Sequence, residues 1–247
     1  MGHSASYYWK GKDVNLLPFT TMPFGMTAPG QYAWFYYGGG MELMQKAYAP
    51  HNMYSFPGGN TGNQMGGWFR KEINTLDDLK GLKIRVVGSP LFLDTFTALG
   101  ANPTQMSWAD AQPAFASGAV DGQENPIAVY QAAKLHTVAQ KHITMWGYVN
   151  DPLVFVVNKD IWNSWTPADR EIVKQAAIDA GKEEIAIARK GMVEADKPLL
   201  KEIAANGVTV TQLSAAEREA FVKATRPVYD KWKNQIGADL VTAAEKA

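Results

Sequence analysis

The chain has 247 residues, 46% of them hydrophobic and 19% charged, with 24 Lys+Arg against 24 Asp+Glu. This composition suits a folded globular chain, and its charge balance offers no basic stripe that would draw nucleic acid. No apolar run approaches the roughly 20 residues a membrane-crossing helix needs, and with no cysteine there are no disulfides, thiolate nucleophiles or Cys-ligated zinc.

The opening residues, Met1 to Trp9, lack a basic stretch followed by an apolar one and so do not form a secretory signal. Residues 13–29, with Pro18, Pro23, Gly25 and Pro29, read as an ordered loop. Trp34, Tyr37, Met41, Met44 and Tyr48 recur at helical spacing and predict a helix over 31–48, weakened by Gly38-Gly39-Gly40. Met53–Phe56 reads as a short strand stopped by Pro57-Gly58-Gly59, and Leu82–Val87 as a strand rich in β-branched residues. Helices follow over 90–99 and 108–117, then a short strand at 119–121 and a helix at about 126–133. Further strands are expected at 142–148 and 153–158, so strands alternate with helices as in an α/β fold. Thr166-Pro167-Ala168-Asp169 opens a long amphipathic run from Ile172 to Leu199 that would span about 55–60 Å, unless Gly191 or Pro198 breaks it. Asn206-Gly207 ends this run, 208–210 reads as a strand, and Ser214 with Glu217 opens a last helix to Gln235.

Enzyme signatures are missing from the residue pattern. His3, His51, His136 and His142 share no metal-ligand spacing, and neither a nucleophile-elbow GxSxG nor a Walker loop occurs. Arg85 stands out because it lies between Ile84 and Val86 in an apolar strand. A guanidinium keeps its charge, so burial there demands an anion. That anion is either an internal carboxylate, Glu124 or Asp121, or the carboxylate of a ligand. The turn Asp121–Pro126 gathers polar groups directly after a strand, where open α/β sheets bind ligands; Asn125 could equally serve as a helix cap there. Trp108 is either a core anchor or a pocket wall.

The segments Gly59–Lys71 (GNTGNQMGGWFRK), Leu79–Val86 (LKGLKIRV), Leu99–Thr104 (LGANPT) and Gly118–Pro126 (GAVDGQENP) resemble the solute-binding proteins of TRAP (tripartite ATP-independent periplasmic) transporters, of the dicarboxylate-binding type. The resemblance implies an α/β two-lobed, periplasmic-binding-protein-like clamshell with a long helix spanning both lobes. Lobe I would comprise 1–62 and 151–190, and lobe II 63–150 and 191–247. It implies that Arg85 grips the ligand carboxylate, that Asn125 contacts ligand and that Trp108 lines the pocket. The GNTGNQMGGWFRK stretch is similar to the 2-oxo-acid-binding branch, in which Gln64 and Glu124 would hold a sodium ion bridging to the ligand. That branch carries a tryptophan where Asn125 stands here, and the second arginine of the sialic-acid branch is replaced near Gln64 and Met65. Family members also carry strands and helices before the SYYW segment. The resemblance therefore leads us to expect an incomplete lobe I with an exposed sheet edge, prone to weak binding or aggregation.

The expected function is an extracytoplasmic, periplasmic subunit that captures a small organic carboxylate by closure and delivers it to a membrane permease, without chemistry and without inserting into the membrane. A sensing module on the same fold is the alternative. An enzyme using Glu124 or Asp121 as base beside Arg85 ranks last, because no activating partner accompanies them.

Overall fold

The computed structural model describes residues 1–20, 22–127, 129, 133–137, 141–192 and 198–245. Its frame is a pair of antiparallel strands of 17 residues each, β2 (Met53–Phe69) and β6 (His142–Asn158). The Pro-Gly-Gly sequence does not end the first of these, and the two strands expected at 142–148 and 153–158 are one. The ladder absorbs its irregular residues through register shifts between Pro57 and Gly59, Asn60 and Asn63, and Gln64 and Gly66. A bulge needs a backbone that tolerates it, and Gly59 (φ 119°) and Gly62 (φ 85°) supply it at the first two shifts.

The remaining strands are divided between the two ends of this ribbon. β1 (Gly2–Ala5) pairs with Leu153–Val156 at one end of β6, and β7 (Thr209–Gln212) pairs with His142–Met145 at the other. Beyond β2 lie β5 (Gly122–Gln123), β3 (Lys83–Val86) and β4 (Asn102–Gln105), so the order is β1-β6-β2-β5-β3-β4. β3 runs parallel to both β4 and β5. The sequence hid β4 because of Pro103, but at the sheet end a missing N–H leaves no ladder bond unmade. The strand expected at 119–121 forms slightly later, at 122–123.

The helix expected over 31–48 is two, α1 (Ala28–Tyr37) and α2 (Gly40–Tyr48). Gly39 takes φ 81° between them, and a Cβ on Gly40 would strike the Trp34 indole, so the glycines form the corner. Then come α3 (Pro90–Ala98), α4 (Trp108–Ser117) and α5 (Lys159–Ser164). The helix expected at about 126–133 falls largely on residues outside those described. The long helix α6 (Pro167–Met192) spans about 39 Å at 1.5 Å per residue and packs along β2. It opens as expected, with Thr166 Oγ1 accepting from the Asp169 N–H at 3.2 Å. Residues 193–197 are outside the described part, and Pro198 begins a separate helix, α7 (Pro198–Ala205). Ser214 caps α8 (Ala215–Lys233) through the Glu217 N–H, and α9 (Ala238–Glu245) returns to rest on α2.

The result is a two-lobed α/β fold built on the long strands β2 and β6, with α6 packed along β2. Its main core gathers Phe69, Ile84, Phe92, Phe96, Trp146 and Phe221, and a second core gathers Phe19, Trp34, Phe35, Met44 and Val154.

Candidate functional site

Arg85 lies within β3 and is 3% exposed. It faces Thr104 on β4 and Gln123 on β5 in register. Its Nε donates to the Met106 carbonyl at 3.1 Å and its Nη1 to the Glu124 carbonyl at 3.3 Å. Two of a guanidinium's five N–H donors thus hold backbone and fix its plane. Burial lowers its pKa, while Glu124, Tyr8 and Tyr7 raise it.

The chain returns past Arg85 after β5, where the Glu124 N–H donates to the Arg85 carbonyl at 3.1 Å. The Glu124 side chain is fully buried and within electrostatic reach of the guanidinium. Asp121, the other internal acid considered as counter-ion, accepts from the Lys83 N–H at 2.9 Å and serves the start of β3 instead. Asn125 is 4% exposed, and its Nδ2 has no hydrogen-bond partner among the described residues. Trp108 is the first residue of α4, a helix capped by Ser107, and stays 41% exposed with its ring centroid 5.9 Å from the Arg85 Cζ. Arg85, Glu124 and Trp108 therefore come together, with Asn125 next in chain. Gln64 pairs its backbone with Val149 across the ribbon, and its side chain lies outside the described part.

Sequence reasoning missed a second layer of this site. Tyr7 and Tyr8, from the short 3-10 turn after β1, lie within electrostatic reach of Arg85. The buried Tyr7 Oη donates to Asp151 Oδ2 at 3.3 Å, and its ring meets Phe92 edge-on at 5.5 Å. Burial, then the Asp151 charge, pushes the Tyr7 pKa up, so the phenol keeps its proton. The signal was available: Asp151 is an acid inside an apolar strand, as Arg85 is a base inside one. A separate cavity of ≈ 250 Å³, with Thr20, Gln31, Asn150 and Tyr229 in its wall, shares no residue with the Arg85 group.

Residues 1–235 match the model of DctP, the bacterial extracellular solute-binding protein family 7. The chain belongs to this family. Among solved structures it is similar to a TRAP periplasmic solute-binding protein from Ralstonia eutropha H16 with bound (S)-2-hydroxy-2-methyl-3-oxobutanoate. That pair is 54% identical with a TM-score of 0.90, over 99% of this chain and 77% of the other. A second, from Pseudoalteromonas atlantica T6c with bound sodium and pyruvate, is 36% identical with a TM-score of 0.84, over 99% and 74%. A Nostoc protein described as a monocarboxylate 2-oxoacid-binding periplasmic protein is 40% identical over 182 residues, 72% of this chain and 49% of the relative. The chain spans about half the length of the curated relatives it matches. Among the described residues, no helix is long and apolar enough to cross a membrane.

Proposed function

We propose that this chain is the solute-binding part of a TRAP transporter, acting in the periplasm. It captures a small organic carboxylate between its lobes and presents it to a membrane permease, with no chemistry on the ligand. The observation that carries this reading is Arg85: a buried, permanently charged fork, held in plane by two carbonyls, beside an Asn125 amide donor that has no partner among the described residues. A ligand carboxylate meets the free edge of that fork, Asn125 donates to it and Trp108 walls the pocket. The small carboxylates held by the relatives from Ralstonia and Pseudoalteromonas support the ligand class.

The lobes divide as 1–62 with 151–190 and 63–150 with 191–247, with α9 reaching back to α2. A ligand bridging them favours the closed form because it makes its full set of contacts only there. A sodium ion, when bound, would offset the negative charge that Glu124 and the ligand bring to one place. The fully buried Glu124 carboxylate is an oxygen donor of the kind such an ion takes, and Gln64 is the second residue proposed to hold it.

Calorimetry with 2-oxo, 2-hydroxy and dicarboxylic acids tests the reading. Arg85→Ala should weaken binding at least about tenfold, since a charge-assisted bond contributes roughly 1.5–3 kcal/mol. Arg85→Lys should recover only part, because an ammonium lacks the fork. Unchanged affinity in both variants would sink the assignment.

A further inference from the structure

Helix α1 turns one face inward, and the buried residues on it are Gln31, Trp34 and Phe35. That spacing is the apolar stripe of a packed helix, where packing alone would put a leucine in place of the amide. Gln31 is 2% exposed, and its side chain enters no hydrogen bond among the described residues. It lies in the wall of the ≈ 250 Å³ cavity between the 18–26 loop, α1, β6, α8 and α9. Thr20 stands in the same wall, 3% exposed, and its Oγ1 also has no partner among the described residues. The other buried polar groups there are already spent. Asn150 donates to the Met26 carbonyl and accepts from Asn60 Nδ2, both at 2.6 Å, and Thr225 Oγ1 donates to the Phe221 carbonyl at 3.0 Å.

The chemistry of the wall narrows the occupant. Apolar side chains, Met22, Ile236 and Val241 among them, make up most of it, so a cluster of waters would be short of the two to four partners each needs. No acid lines the cavity among the described residues; its cations, Arg226 and Lys233, are not among the buried residues, and Arg226 is paired with Asp230 at 3.1 Å. A charged group at the buried end would face neutral dipoles alone, which is costly. An amide suits it, because one primary amide can donate to the Gln31 Oε1 and accept from the Gln31 Nε2 at once. A cavity of roughly 150 Å³ already holds benzene, so this one has room for a ring carrying such a group. We infer that the cavity is a second binding site, which takes a small uncharged carboxamide with an apolar body and pairs it with Gln31. Side chains alternate along a strand, so Asn150 in the cavity wall and Asp151 beside Tyr7 leave β6 on opposite faces. The site is thus separate from Arg85 and does not depend on the carboxylate assignment.

Benzamide and benzoate share a shape and differ in charge, and are the probes. In NMR titrations of the isotope-labelled chain, benzamide should shift backbone signals of residues 22–31 and 225–244 with a Kd of about 1 mM or tighter, as suits a ligand of that size. Benzoate should leave those signals in place. Gln31→Leu should weaken benzamide at least about tenfold, while the Tm of the free variant stays level or rises, because an unpartnered buried amide has been replaced by an apolar group. Ala244→Phe fills the cavity from α9 with Gln31 intact and should also block benzamide, so a folding defect in the leucine variant cannot stand in for the result. Arg85→Ala should leave benzamide affinity unchanged. The inference is overturned by absent shifts with benzamide, by benzoate bound at these residues as tightly, or by benzamide affinity that survives Gln31→Leu or Ala244→Phe. Loss of benzamide binding in Arg85→Ala overturns it too, as does a Tm lowered by Gln31→Leu, the mark of an amide already satisfied by ordered water.

Discussion

Gly122→Ala adds one methyl group at the point where the sheet delivers the site residues. A Cβ there would meet the Phe69 Cδ1, with Phe69 Cε1 at 2.7 Å and Ile84 Cδ1 at 3.0 Å. Both neighbours are fully buried. The Phe69 ring has nowhere to retreat, because its far end already occupies the space a side chain on Gly67 would need. The aromatic ring is wedged between two glycines, so the added methyl must move β5 itself. Overpacking of this kind costs about 1–3 kcal/mol, which for a chain of this size lowers Tm by roughly 2–12 °C. Glu124 and Asn125 follow Gly122 by two and three residues, so carboxylate affinity should fall as well. Thermal and denaturant unfolding of Gly122→Ala, Phe69→Leu and the double variant would check the argument. The smaller leucine makes room, so the double variant should be more stable than the sum of the singles by about 1 kcal/mol or more. Strict additivity, or an unchanged Tm for Gly122→Ala, would refute it.

Trp108→Ala should weaken carboxylate binding several-fold while changing stability by less than about 1 kcal/mol, since the indole is partly exposed and outside the buried cores; parallel calorimetry and melting curves check this. Glu184 is half-buried against Gly59, and burial raises its pKa. A raised carboxyl pKa means stability is lost as pH rises from the ordinary glutamate value, about 4.3, through the folded value. Glu184→Gln should therefore raise Tm near neutral pH, with the gain fading as pH falls below about 4; a gain independent of pH would contradict the cause. Asp78 closes a capping box, with its Oδ2 accepting from the Thr75 N–H at 2.9 Å, and hydrogen bonds from the Asn74 and Thr75 backbone hold its pKa low. Asp78→Ala should cost about 1 kcal/mol. That difference is present above about pH 4 and lost as pH falls through the lowered folded value, which melting curves from pH 2 to 7 would reveal.

Arg85 was legible because a charge in a greasy strand is improbable without a purpose, and Thr166 and Ser214 announced their helices through cap chemistry. The α/β alternation, with one unusually long helix, was readable from periodicity and fitted the resemblance. The long strands were not. Pro57, Gly58 and Gly59 normally punctuate a chain, and only cross-strand pairing reveals that here they shape bulges inside one continuous element. The same local signals placed one helix over 31–48 where the left-handed Gly39 makes two. The phenol pair escaped because nothing nearby in sequence links Tyr7 to Asp151. Their contact spans 144 positions and exists only once β1 lies beside β6.

The three register shifts in the β2–β6 ribbon have a mechanical consequence. Because side chains alternate in a strand, sliding β2 past β6 by one residue would turn its buried groups outward. The irregular points between Pro57 and Gly66 act as dowels against that slip while leaving few straight ladder bonds to bend there.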